Sequence, residues 1–184
     1  MLSSKIEGVF LIEPKVFGDD RGYFFEIFSQ REFQKWVNGV NFVQDNESCS
    51  RYGVVRGLHF QKAPYAQDKL IRVVKGEILD VAVDLREGSK TYGKYAEFIL
   101  NGDTKRQLFI PAGMAHGFSV LSEEAIFEYK CSNFYNKDAE DSILWSSKEL
   151  ENIETGEKGI NWRIPVDKII LSDKDKLARE FKLK

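Results

Sequence analysis

The chain has 184 residues, of which 42% are hydrophobic, so it is long enough to close a sizeable core and is not a disordered polymer. Its formal net charge of −2 excludes an overall basic field for gripping nucleic acid, and any anionic ligand has to be held by a local cluster of cations. Two cysteines, Cys49 and Cys131, make neither a disulfide framework nor a CxxC zinc pair, and suit a reducing compartment. The N-terminus lacks the apolar core of a signal peptide, and no uncharged apolar run is long enough to span a bilayer. The expectation is one cytoplasmic domain over residues 1–184.

In chain order, the first apolar segment is Gly8–Ile12. Ser29-Gln30-Arg31-Glu32 then has the pattern of a capping box opening a short helix, with Phe33, Trp36 and Val37 inward and Gly39 ending it. Gly53–Gln61 reads as a buried strand and contains His59. Further strands are expected at Lys69–Val74, Glu77–Leu85, Tyr95–Leu100, Arg106–Ile110 and Ala125–Cys131, with turns at Lys75-Gly76, Gly88-Ser89, Asn101-Gly102-Asp103 and Pro111-Ala112-Gly113. Alternation puts Leu79, Val81, Val83 and Leu85 on one face and turns Asp80 and Asp84 the other way, as in a half-buried strand. Ser146–Glu149 has the look of another helical start, Glu149–Lys158 is the most loop-like stretch, and the charged tail from about residue 172 reads as helical. Strands at short spacing without intervening helices argue for an all-β sandwich or barrel.

Both histidines, His59 and His116, sit within such segments, and imidazole exchanges protons near neutrality, at a pKa of roughly 6.5. Arg56 and Lys69 beside His59 read as buried or half-buried cations that need an anion, which a phosphate or carboxylate ligand supplies. Metal binding competes for the histidines. A barrel that binds metal places a His-x-His pair on one strand, whereas His59-Phe60-Gln61 offers a single strong ligand, which disfavours a metal site. Tyr129 shares a strand face with Phe127 and Cys131 and is either a core tyrosine or a general acid. Phe134 and Tyr135 are equally packing residues or a stacking platform. Asp175 has the spacing of a helix first-turn acid after Ser172, or else orients a histidine. No GxSxG, P-loop or dinucleotide fingerprint is present.

Several motifs together resemble the dTDP-4-dehydrorhamnose 3,5-epimerase family, in family order from about Gly8 to Asp175. They are Asp19–Glu26, Gln44–Ser48, Arg56–Gln61, Gly76–Arg86, Pro111–Phe118, Tyr129-Lys130-Cys131 and Leu171–Asp175. The resemblance implies an all-β cupin-type double-stranded β-helix (a jelly roll) with a few short peripheral helices, working as a homodimer whose N-terminal strands cross to the partner. It also implies inversion of C3 and C5 of dTDP-4-dehydro-6-deoxy-D-glucose, a dTDP-4-keto-6-deoxy sugar, on the route to dTDP-L-rhamnose, with no metal or organic cofactor, no nucleic acid and no membrane partner.

Carried over by motif, His59 matches the base and Asp175 its paired carboxylate, Tyr129 the proton donor on the other face of the sugar, and Lys69 a lysine near the reacting end. Arg21, Glu26, Gln44, Asp45, Asn46, Arg56, His116, Glu140 and Lys174 match substrate contacts, and Tyr135 an aromatic that stacks on thymine. Two departures stand out. Glu149–Lys158 looks like an insertion, and Glu47 stands where many relatives have histidine. The resemblance leaves open a C3-only epimerase or one acting on another nucleotide sugar. A non-catalytic sugar-nucleotide binder and a metal-dependent cupin oxygenase are the readings from other classes.

Overall fold

A computed structural model describes residues 2–183. The strands are β1 (Leu2–Ser3), β2 (Phe10–Ile12), β3 (Phe17–Asp19), β4 (Gly22–Phe24), β5 (Gln44–Arg51), β6 (Val55–Gln61) and β7 (Lys69–Lys75). They continue with β8 (Glu77–Asp84), β9 (Lys94–Asn101), β10 (Gln107–Ile110), β11 (Met114–Val120), β12 (Glu124–Cys131), β13 (Glu140–Ser142) and β14 (Glu151–Asn152). One six-stranded sheet runs β1-β2-β10-β7-β12-β5 and a second runs β13-β6-β11-β8-β9-β14, while β3 and β4 form a separate hairpin. Every pairing is antiparallel except β14 on β9. The two open sheets are the layers of the cupin-type jelly roll that the family resemblance implies. No helix among the described residues is long and apolar enough to cross a membrane.

The interior between the sheets has two ends of different chemistry. One is apolar, built from Ile71 and Val73 of β7, Leu108 of β10, Phe118 and Val120 of β11, and Phe127 of β12. The other end takes its side chains from the same strand faces further along. Lys69 follows Ile71 and Val73 at period two on β7, and Tyr129 and Cys131 follow Phe127 on β12. Strand alternation therefore carries apolar packing at one end of each ladder directly into a polar mouth at the other.

The central strand β8 corrects the expectation of a half-buried strand. Leu79, Val81 and Val83 do share a face, but it is covered by Trp162, Phe181 and Leu150. The opposite face turns into the barrel, so Asp80 and Asp84 are both fully buried rather than solvated. Asp84 survives burial by accepting bonds from Arg86 N, Nε and Nη2, Ser89 Oγ and Thr91 Oγ1, at 2.6–3.0 Å. Burial alone would push this carboxyl up, and those donors overcome it and bring the pKa down to about 2. A pKa depressed below its unfolded value of about 3.9 stabilises the fold above that pH, and the contribution, roughly 2 kcal/mol, is lost as pH falls toward 2. Asp84→Asn is therefore expected to be less stable at pH 7 and to show a shallower loss between pH 4 and pH 2, as read from urea midpoints.

The helices are shorter than the sequence suggests. The first, α1, is one turn at Gln30–Phe33, and Ser29 makes no side-chain cap bond. The capping box fails because Glu32 is drawn to Lys35 at 2.6 Å and to Arg31 at 3.4 Å. Phe33 is buried and Val37 packs beside it, but Trp36 falls beyond the single turn and is exposed. Ser146–Glu149 forms turns, not a helix.

The tail carries only a one-turn α2 at Asp173–Lys176, after which the chain runs back along residues 143–149. Leu144 N donates to Arg179 O, Phe181 N to Ser147 Oγ and Leu183 N to Glu149 Oε2, and buried Phe181 packs on Tyr92. These anchors hold the segment extended where charge pattern alone suggested helix. Inside the apparent insertion, β14 pairs with the edge of β9, and Asn152 Oδ1 closes the following turn through the amides of Glu154 and Thr155.

Candidate active site

A cleft of about 300 Å³ opens at the polar mouth of the barrel, lined by Gln44, Asn46, His59, Phe60, Gln61, Gln67, Lys69, Tyr129, Cys131, Tyr135 and Glu140. Strand registry explains the convergence. Gln44 faces Cys131, and Asn46 faces Tyr129, across β5 and β12, while Lys69 faces Cys131 across β7 and β12. From the other sheet, His59 of β6 lies opposite His116 of β11 and Ser142 of β13.

His59 keeps about a third of its side chain exposed to the cleft, while Asp175 is 2% exposed. His59 Nε2 and Asp175 Oδ1 are 2.5 Å apart. With Nε2–H donated to that carboxylate, Nδ1 is the nitrogen left to accept a proton. Asp175 also receives Ser172 Oγ at 2.6 Å, and its own amide donates to Ser172 Oγ at 3.1 Å. The one-turn α2 is capped by Ser172 and presents the Asp175 carboxylate to His59, so the first-turn acid and the histidine partner are one arrangement. Burial pushes the Asp175 carboxyl up, but the bonds from His59 and Ser172 prevail and its pKa is lowered.

Gly57 makes the close approach possible. A Cβ there would sit 2.6 Å from Gly117 Cα and 2.7 Å from His116 O, at a φ of +119°. In the same stretch a bulge sets two residues of β6, Gly57 and Leu58, against one of β11, Gly117, because His59 pairs with His116 and Arg56 with Phe118. Arg56 and His59, an odd number of residues apart, thus face the same side. Arg56 is nevertheless exposed, which corrects the expectation of a buried or half-buried cation.

Across the cleft, Lys69 is half-buried, with its Nζ 5.6 Å from the centre of the Tyr129 ring. Desolvation of the ammonium lowers the Lys69 pKa, with Cys131, Asp80 and Glu140 opposing. Burial raises the Tyr129 phenol, assisted by Cys131 and opposed by Arg56, so Tyr129 stays protonated at neutral pH. The Tyr129 ring rests 5.2 Å from that of Phe127, on which His116 stacks in turn at 6.0 Å. At the outer rim, Lys174 Nζ meets Glu140 Oε1 at 2.5 Å and Tyr135 Oη donates to Glu140 Oε2 at 3.1 Å. Tyr135 and Phe134 are both exposed, which leaves their faces open for stacking rather than packing.

Gln61, where a metal-binding barrel would place its second histidine, is spent on structure. Its Nε2 donates to the carbonyls of Tyr65 and Phe134, and its Oε1 accepts from Asn136 N.

Three sequence-derived candidates lie apart from this cleft within the chain. Arg21, on the exposed β3–β4 hairpin, is bonded to Asp19. Glu26 and Asp45 line a neighbouring 690 Å³ cavity that shares Asn46 and Tyr129 with the cleft, and there Asp45 pairs with Lys130. Glu47 lines the same cavity. Sequence reasoning overlooked Asp80, Cys131, Gln61 and Gln67. The available signal for Asp80 was an acid inside a strand with apolar residues on both sides of it, a setting in which it needs a buried partner.

Comparison with known proteins decides the family. The sequence profile described as dTDP-4-dehydrorhamnose 3,5-epimerase matches residues 3–182. The chain belongs to the dTDP-4-dehydrorhamnose 3,5-epimerase family. A protein of that name from Shigella flexneri is 52% identical over 182 residues, covering 98% of this chain and 95% of its own. The crystal structure of dTDP-4-dehydrorhamnose 3,5-epimerase from Elizabethkingia anophelis NUHP1 is similar with a TM-score of 0.89 at 46% identity, covering 98% of this chain and 94% of that one. The dTDP-6-deoxy-D-glucose-3,5-epimerase from Legionella pneumophila Philadelphia 1, solved in complex with dTDP-4-keto-L-rhamnose, gives 0.89 at 42% identity, covering 97% and 90%. Members of the epimerase family are isomerases, and in this one the cleft with His59, Asp175, Lys69 and Tyr129 lies at the mouth of the shared fold.

Proposed function

We propose that this chain inverts C3 and C5 of dTDP-4-dehydro-6-deoxy-D-glucose to give dTDP-4-dehydro-L-rhamnose, without metal or organic cofactor. The observation that carries the reading is that a histidine paired with a buried carboxylate, a protonated tyrosine and a desolvated lysine line one cleft. A ketone at C4 acidifies the hydrogens on both neighbouring carbons. His59 Nδ1 takes such a hydrogen as a proton, the C–H electrons move into the ring, and the charge collects on the C4 oxygen as an enolate. Lys69 stabilises that oxygen, a contribution of about 3 kcal/mol for a well-placed group. The Tyr129 hydroxyl then protonates the carbon from the opposite face, and the phenolate and the imidazolium exchange protons with water. Asp175 holds His59 in one tautomer and balances the imidazolium, as a buried aspartate does in hydrolase triads.

At the nucleotide end, Tyr135 stacks on thymine, and Gln44, Asn46, Glu140, His116 and Lys174 contact the substrate. Arg56 supplies the charge for the diphosphate at the open mouth. Arg21, Glu26 and Asp45 belong to an assembly in this reading. The chain works as a homodimer of single-domain subunits in the cytoplasm, and the exposed hairpin of one copy brings Arg21 and Glu26 to the cleft of the other. The test is turnover of dTDP-linked and UDP-linked 4-keto-6-deoxy sugars side by side, followed by proton NMR of the products. Conversion of the dTDP sugar to the L-configured product, with much slower reaction of the UDP sugar, is expected. Binding of either sugar without turnover would contradict the proposal.

A further inference from the structure

We propose that Asp80 is a positioning residue for this reaction, fixing the ring of His116 beside His59, behind the cleft lining, and supplying the buried negative charge near which Lys69 is held. The inference rests on the epimerase reading and adds to it a residue outside the cleft lining. Asp80 has no exposed surface, and its Oδ2 lies 2.9 Å from His116 Nε2. Its Oδ1 has no hydrogen-bond partner among the described residues. A buried carboxylate oxygen without a donor is costly, more so than the apolar side chain this strand carries at its neighbours Leu79 and Val81. Packing therefore does not explain an acid here, and its charge does.

The groups around it come from five strands. His116 of β11 is stacked on Phe127 and bonded to Asp80, and His59 of β6 lies opposite His116 in the ladder. Lys69 of β7 faces Cys131 of β12, and Glu140 of β13 lies across the cleft. Burial drives Lys69 toward its neutral form, and Cys131, Asp80 and Glu140 oppose this. Burial drives His116 the same way, Asp80 opposes, and Lys69 and His59 add to the effect of burial. Among the described residues, Asp80 is the one carboxylate that opposes burial at both Lys69 and His116. Without it, Lys69 would release its proton at lower pH and the enolate oxygen would lose its counter-charge.

Asp80→Asn keeps the shape and removes the charge. The expected result is a loss of about tenfold or more in kcat with KM nearly unchanged, and a high-pH limb of the kcat profile displaced downward by about one pH unit. In substrate-free protein, the carbon-13 NMR titration of the Lys69 ε-carbon, identified by its disappearance in Lys69→Arg, should move down by a similar amount. Superimposable titrations and pH profiles in Asp80→Asn and the unmodified protein would overturn the proposal. Should the unmodified protein turn over no 4-keto sugar, the epimerase reading fails, while the Lys69 titration still decides the role of Asp80. If Asp80→Asn does not fold, nitrogen-15 NMR of His116 in the unmodified protein decides instead. A fixed Nε2–H tautomer is expected, and an Nδ1–H tautomer would overturn the assignment.

Discussion

Replacing His59 with Asn is expected to lower kcat by about 10²–10⁴-fold, the span usual for a general base, while KM changes little. The imidazole is the group in the cleft with an accessible nitrogen and a buried carboxylate behind it. The nucleotide contacts are made by other side chains, so binding should persist. Folding should also persist, because Asp175 keeps the Ser172 Oγ donor after His59 is gone and is not left without a hydrogen bond. Steady-state kinetics with a parallel thermal melt separate the two effects. An unchanged kcat would remove His59 from the base role.

Tyr129→Phe is expected to split the reaction. The ring that packs against Phe127 and lies near Lys69 remains, and only the hydroxyl is lost. Proton removal by His59 needs no phenol, so exchange of substrate hydrogen with solvent should continue. Inversion needs a donor on the opposite face and should fall by roughly 10² or more, the contribution of a positioned acid. Because burial raises the Tyr129 pKa, the donor form exists throughout the neutral range, and the unmodified enzyme should lose activity through this group only on the alkaline side. Product stereochemistry and isotope content measured on the same sample check the prediction. Full inversion in the variant would place the acid elsewhere.

The sheets were largely legible because their strands are apolar and bounded by glycine turns. β7, β9, β10 and β12 match the apolar runs to within a residue or so at each end. β5 was read only as a motif, because Gln44–Arg51 is an edge strand whose inward side chains are polar where they line the cleft. Its alternation is visible only in burial, not in hydrophobicity. Helical length was overestimated at both ends of the chain for a different reason. Charge and cap patterns describe an isolated segment, whereas residues 177–183 are held extended by Ser147, Glu149 and the pocket that receives Phe181.

In the site, local pattern identified His59 but could not separate the two readings of Asp175, since a capped turn and a histidine partner are one arrangement here. Nor could spacing bring Asp175 to a strand 116 residues earlier; the pairing came from the family motif, and the fold places the two side chains in contact. Asp80 was read with the correct facing and the wrong surroundings, because period two distinguishes the faces of a strand without saying that both are covered.

The central claim is that protons are drawn from both carbons beside the ketone. Incubating the purified protein with dTDP-4-dehydro-6-deoxy-D-glucose in deuterium oxide, and reading the ring positions by NMR, tests it directly. The account predicts deuterium at both C3 and C5 of an L-configured product. Label at C3 alone, or a substrate that keeps all its hydrogen, would contradict it.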